Sequence, residues 1–188
     1  MAEKKPSVEG NLHSLVEGAL REHESALVHY VAGLLRGDWE RARDVVQEAF
    51  LKMCRQDANA LEGGEKGWLY TVCRNGAYDR LRQSKRRREE SGDWEALQEP
   101  GPDPAETLAR SDSAREVWRA VSSLPAKKRE VILLRYQQDM SYREIAEITG
   151  QPEGTVAYQI HDSLRQLRRT LGSRTESPEK VFNNPKPQ

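Results

Sequence analysis

The sequence predicts an all-α fold: two small helical bundles joined by an acidic flexible linker, the C-terminal one a helix-turn-helix domain. Three observations carry this expectation. Apolar residues return at three- and four-residue spacing along most of the chain, and sustained period-2 alternation is missing. The stretch from Ser91 to Pro104 places Gly92, Pro100, Gly101, Pro102 and Pro104 among acids, a composition with little means of folding alone. The chain has 188 residues with 6% aromatic and 32% charged, enough for two small bundles and too few large apolar groups for one wide core.

Taken in order, Met1 to Gly10 is polar and is expected to be a disordered N-terminus (1–10). No secretory leader and no bilayer-spanning run is expected, which points to the cytoplasm without membrane insertion. Leu12, Leu15, Val16, Ala19, Leu20, Leu27, Tyr30, Val31, Leu34 and Leu35 form the first helical pattern, and Gly37 marks its stop. Asp38 suits the cap of a second helix with Ala42, Val45, Val46, Ala49, Phe50 and Met53 inward and Arg41, Asp44, Gln47 and Glu48 outward. Gln56 to Lys66 is expected to be a polar loop, followed by a third helix carrying Trp68, Leu69, Val72, Cys73, Ala77 and Leu81. After the linker, Leu108, Val117, Trp118 and Val121 resume the helical spacing, Leu124-Pro125 breaks it, and Val131 to Leu134 with Tyr136 mark a further helix. Ser173 to Gln188 is expected to be a flexible tail.

The stretch from Ser141 to Arg169 holds the strongest local signals. Ser141 and Glu144 form a capping box, Gly150 suits a left-handed helix end, and Pro152 and Glu153 suit the first turn of a second helix. Val156, Ile160, Leu164 and Leu167 then make one apolar stripe. The opposite face carries Thr155, Ala157, Tyr158, Gln159, His161, Asp162 and Arg165. Two capped helices joined by a glycine turn are the helix-turn-helix pattern, whose second helix enters the DNA major groove.

Net charge is zero, yet its distribution favours nucleic acid. Arg80 to Arg88 holds six basic residues and no acid. Glu89 to Asp112 holds eight acids against Arg110 alone, a net −7, so the remainder carries +7. Just before and within the basic run, Trp68, Tyr70 and Tyr78 share a helix with Arg74, Asn75, Asp79, Arg80 and Arg82. Separated bases need stacking surfaces, phosphates need cations and base edges need hydrogen-bonding groups. Asn75, Asp79 and Arg82 fall on one helical face. Cys54 and Cys73 both occupy apolar helical positions and are expected to be buried, reduced thiols. With His13, His23, His29 and His161 they give no metal-ligand spacing, so no metal and no cofactor is expected. No phosphate loop and no paired catalytic acids occur, so no enzyme and no catalytic residue is expected.

Three segments, ARDVVQEAFLKM, GWLYTVCRNGAYDRLR and LPAKKREVILLRYQQDMSYREIAEITGQPEGTVAYQIHDSLRQLRR, resemble in order the extracytoplasmic-function group of bacterial RNA polymerase sigma factors of the sigma-70 family. The resemblance covers roughly residues 12–88 and 106–171. It implies a region 2 domain over 11–90, a linker over 91–105 and a region 4 domain over 106–172, followed by the tail 173–188. It further implies an alternative sigma factor that binds core polymerase, recognises the −10 and −35 promoter elements and promotes melting. Asp44, Gln47, Glu48 and Leu51 would meet the clamp helices of the largest subunit, and the C-terminal domain the flap. Trp68, Tyr70, Arg74, Asn75, Asp79, Arg82, Lys85 and Arg86 would face −10 DNA, and the loop Asp57 to Lys66 would pocket a flipped base. Ser141, Arg143, Glu153, Thr155, Ala157, Tyr158, Gln159, His161 and Arg165 would face the −35 duplex. The acidic linker would follow the RNA exit path, and an anti-sigma factor is a common partner. The chain departs from the family where basic residues often open the recognition helix: it has Ala157, Gln159 and Asp162. Gln159 can still read adenine, and Arg165 can contact phosphate or guanine. The alternative is a free-standing helix-turn-helix regulator of duplex operators, because the C-terminal segment also resembles response-regulator output domains. That reading leaves Gly67 to Arg88 without a role.

Overall fold

The computed structural model describes residues 8–61, 63–91 and 112–172. The expected tail, the expected linker from Gly92 onward with Trp94, Leu108 and Met1 to Ser7 lie outside the described residues. Helices α1 (Val8–Leu34), α2 (Trp39–Met53), α3 (Ala58–Leu61) and α4 (Glu65–Ser91) form the N-terminal bundle. The C-terminal bundle comprises α5 (Asp112–Ser123), α6 (Ala126–Ile132), a π-helical turn (Leu133–Gln137), α7 (Tyr142–Thr149) and α8 (Glu153–Leu171). No strand occurs among the described residues.

Local chemistry explains the boundaries. After Leu34 the chain reverses through Arg36 and Gly37, both at positive φ, and the Gly37 amide donates to the Ala32 carbonyl at 2.8 Å. Asp38 then caps α2 by accepting from the Arg41 amide at 3.0 Å. Gln56 to Lys66, expected as a polar loop, contains α3: the Asp57 carboxylate accepts from the Asn59 amide, and Ala58 and Leu61 are buried. Two buried side chains three residues apart, one helical turn, fold this short piece onto α1. Helix α1 begins at Val8, so Val8 to Gly10 is helical rather than disordered. Leu20 is 39% exposed, and Cys54, expected in the core, is exposed at the C-cap of α2. Pro152 is the N-cap of α8 and stands just before its first turn.

Four consecutive buried residues, Val131 to Leu134, mark a segment enclosed on every side. Helix α8 packs on one flank of it and α1 on the other. The π-helical stretch is closed at its C-terminal end by the Gln138 amide on the Leu133 carbonyl at 3.2 Å and the Met140 amide on the Leu134 carbonyl at 3.1 Å. One continuous hydrophobic core therefore runs through both bundles. Gly33 permits the close approach: a Cβ built there would lie 2.7 Å from a Leu133 methyl and 3.3 Å from the Trp118 ring. Gly76 plays the same part between α4 and Val45 of α2, at 3.1 Å.

Candidate functional site

Helix α4 divides into an outer and an inner side. Asn75, Asp79 and Arg82 are exposed on one face, as the spacing predicts, and Arg82 pairs with Asp79. Lys85 and Arg86 are exposed and pair with Glu89 at 3.6 Å and Glu90 at 2.9 Å. Such exposed pairs are weak and exchange readily for a phosphate. Tyr70 is corrected: it is 1% exposed, its ring lies 5.3 Å from that of Tyr30, and its hydroxyl donates to Gln138, so it offers no stacking surface. Arg74 also faces inward, its Nε donating to Glu130 of α6 at 2.6 Å. Trp68 is half-buried at the edge of a cleft of about 440 Å³, lined on one side by Gly64, Lys66 and Thr71 and on the other by Met140, Glu144 and Glu147.

On α2, Asp44, Gln47, Glu48 and Leu51 are all exposed, Leu51 at 55%. Glu48 is not free, however: Arg80 of α4 reaches it at 2.7 Å, and this hydrogen bond holds its carboxyl below the usual range. Beside Gln47 and Leu51 runs an apolar groove of about 380 Å³ floored by Val28, Val46 and Phe50.

In the helix-turn-helix, Ser141 Oγ accepts from the Glu144 amide at 3.2 Å and the Glu144 carboxylate accepts from the Ser141 amide at 2.8 Å. The Ser141 hydroxyl, donating to the Glu144 carboxylate at 2.7 Å, and then the Ser141 amide hold that carboxyl low. Gly150 ends α7 at φ 67°, the left-handed conformation that glycine adopts cheaply. On α8, Val156, Ile160 and Leu167 are buried, Leu164 is half-buried, and Ser163 is buried with its hydroxyl donating to the Gln159 carbonyl. Glu153, Thr155, Tyr158, His161 and Arg165 are exposed, whereas Ala157 and Gln159 are half-buried. The Gln159 amide donates to Gln151 at 2.7 Å. Arg143 is exposed and pairs with Glu147 at 3.1 Å. Asp162 accepts from Lys128 and Arg165, each at 2.6 Å, and these bonds, Lys128 first, hold its carboxyl down at about 2.

Sequence reasoning missed the residues between the bundles. Arg129 is 2% exposed and donates to three carbonyls, Ser122 at 2.9 Å, Leu124 at 3.4 Å and Leu34 at 3.0 Å. It thereby caps the C-terminal ends of α5 and α1 together. Burial, and next the charge of Arg36, pull its guanidinium down to about 10. Glu130 is fully buried, and Gln138 donates to the Ala26 carbonyl at 3.2 Å while accepting from Tyr70. The available signal was adjacency: Arg129 and Glu130 directly precede four apolar residues, and a segment buried all round carries its neighbours inward. Among the described residues no cluster of His, Cys, Asp and Glu could hold a metal, and no helix is long and apolar enough to cross a membrane.

Comparison with known proteins agrees with this layout. Residues 20–87 match the model of sigma-70 region 2, and residues 114–167 match that of sigma-70 region 4. The ECF RNA polymerase sigma factor SigL of Mycobacterium tuberculosis is 31% identical over 160 residues, covering 84% of this chain and 89% of SigL. SigE of Mycolicibacterium smegmatis is 30% identical over 151 residues, and there the match spans 79% of this chain but 58% of SigE. A solved structure of the sigma factor RpoE from Bartonella quintana, in complex with the anti-sigma factor NepR, shares the fold. Its TM-score is 0.68 at 24% identity, over 85% of this chain and 98% of that one. With region 2 ahead of region 4 and this identity across most of SigL, the chain belongs to the extracytoplasmic-function RNA polymerase sigma factors of the sigma-70 family.

Proposed function

We propose that this chain is an alternative sigma factor that binds core RNA polymerase, recognises −35 and −10 promoter elements and promotes strand separation. The observation that carries the proposal is the order of the two matched regions, 20–87 and then 114–167. The first region gives the basic end of α4 a role, which a free-standing helix-turn-helix regulator would not. In this reading residues 11–90 form the polymerase and −10 unit, 106–172 the −35 unit, and 91–105 the acidic connection. Asp44, Gln47 and Leu51, beside the apolar groove on α2, would meet the clamp helices, with Glu48 joining once Arg80 lets go. Asn75, Asp79 and Arg82 would take base edges and phosphates of the separated −10 strand, with Lys85 and Arg86 adding charge and Trp68 a stacking surface. Thr155, Tyr158, His161 and Arg165 would enter the −35 major groove, with Ser141, Arg143 and Glu153 at its edge and Ala157 against a thymine methyl. RpoE's partner in its solved structure supports an anti-sigma factor as a further partner here.

Reconstitution tests the proposal. The chain is mixed with core polymerase and genomic DNA, and run-off transcripts are mapped; permanganate then probes thymines upstream of each start. Reactive thymines near −10 are expected. The absence of any transcript or reactive thymine overturns the proposal.

A further inference from the structure

Helix α8 buries Val156, Ile160 and Leu167, which turns Thr155, Tyr158, His161 and Arg165 outward. Tyr158 is the most prominent of these, at 67% exposure. From Glu153 to Leu164 the helix holds two acids and neither lysine nor arginine. Its first cation is Arg165, twelve residues beyond Glu153 and so about 18 Å along the axis. That guanidinium is engaged with Asp162 at 2.6 Å. Lys128, the cation that α6 brings alongside, is engaged with the same carboxylate at 2.6 Å.

The front of the helix therefore has no forked cation to offer a base. Guanine shows two acceptors, O6 and N7, to the major groove and is read best by arginine or lysine. Adenine shows an amino donor beside an acceptor, which suits an amide, and thymine shows a methyl, which suits an apolar group. Gln159 and Gln151 are amides, joined to each other at 2.7 Å. Thr155 and Ala157 supply methyls, and Tyr158 supplies an exposed ring. A neutral His161 has a single N–H and cannot grip both guanine acceptors at once. Glu153, in the first turn, complements the positive end of the helix and repels the same acceptors.

We propose that α8 reads adenine and thymine and rejects guanine, so that the −35 element of this chain is built of A·T pairs. The inference rests on the sigma-factor reading and names the bases that its −35 unit takes. Phosphate contacts are left to the rim, where Arg143 is exposed.

Holoenzyme reconstituted from core polymerase and the full chain transcribes a library of linear templates randomised upstream of the start, and the transcribed templates are sequenced. In the block near −35, guanine on either strand is expected to be depleted about tenfold relative to the starting library. Tyr158→Arg puts a forked cation at an exposed position and should add one strongly enriched guanine to that block; circular dichroism verifies its helix content. A parent block led by guanine overturns the proposal, and so does a folded Tyr158→Arg variant whose block is unchanged. Failure of the sigma-factor reading looks different: neither parent nor variant yields a transcript. Filter retention of the same randomised duplexes by the full chain alone then still decides the base preference, since it needs no polymerase.

Discussion

Lys128 of α6 and Asp162 of the proposed recognition helix lie 2.6 Å apart, and Arg165 reaches the same carboxylate at 2.6 Å from the other side. One acid thus restrains two cations on the face proposed for the −35 duplex. Asp162→Asn is expected to release both and to remove a charge that repels phosphate. Affinity for a mixed-sequence duplex should rise, and the slope of log affinity against log salt should steepen by about one. Anisotropy titrations across a salt series check this; an unchanged slope places the trio away from DNA.

The same carboxylate predicts an acid limb in stability. Its folded value lies below the ordinary 3.8, so its contribution is complete above 3.8 and disappears as the pH falls toward about 2. Thermal melts between pH 5 and pH 2 should show a shallower decline for Asp162→Asn than for the parent chain. Identical declines would mean that the pair contributes nothing to folding.

Leu51 is 55% exposed beside an apolar groove, an unusual place for a leucine with no inward role. Leu51→Glu should abolish capture by core polymerase in a pull-down. It should change folding stability by no more than about 0.5 kcal/mol, because the side chain leaves no cavity behind. Retained capture would remove α2 from the polymerase interface.

The two cysteines should differ sharply. Burial pushes the Cys73 thiol up to about 12, while Cys54 is exposed. Ellman's reagent should titrate one thiol in the native chain and both in guanidinium, and Cys54→Ser should abolish the native reaction. Rapid reaction of both thiols under native conditions would contradict the packing of α4 on α1 and α2.

Gly150 has open space around its Cα, so a methyl there meets no neighbour and only the backbone conformation matters. Gly150→Ala should cost about 1–2 kcal/mol through its φ of 67°. Ser141→Ala should cost about 1 kcal/mol by removing the cap. Urea melts check both; a neutral Gly150→Ala would deny the left-handed turn.

The helix-turn-helix was legible because its signals are local. A capping box needs residues three apart, and a left-handed helix end needs one glycine. The apolar face of α8 needs only its own periodicity, and even there Ser163 took a buried place that the stripe assigned to Leu164. Asn75, Asp79 and Arg82 were legible for the same reason, as one face of one helix. Tyr70 and Cys54 went astray because helical spacing says which residues share a side and not which side another element covers. Tyr70 sits under Tyr30 and Gln138, whereas Cys54 falls at the end of α2, where the chain turns outward.

By itself, the sequence determined the helices other than α3, the caps of α2 and α7, the two bundles and the family pattern that names their tasks, since each depends on residues within a few turns of one another. Only the tertiary structure decided that the bundles share a core, that Arg129 closes two helix ends at once, and that Glu130 takes Arg74 and Tyr78 from the surface. The contacts of Arg129 with Leu34 and of Glu130 with Arg74 and Tyr78 join residues 52 to 95 positions apart. A charged side chain in a sequence looks like surface until something across the fold supplies the partners that make its burial affordable.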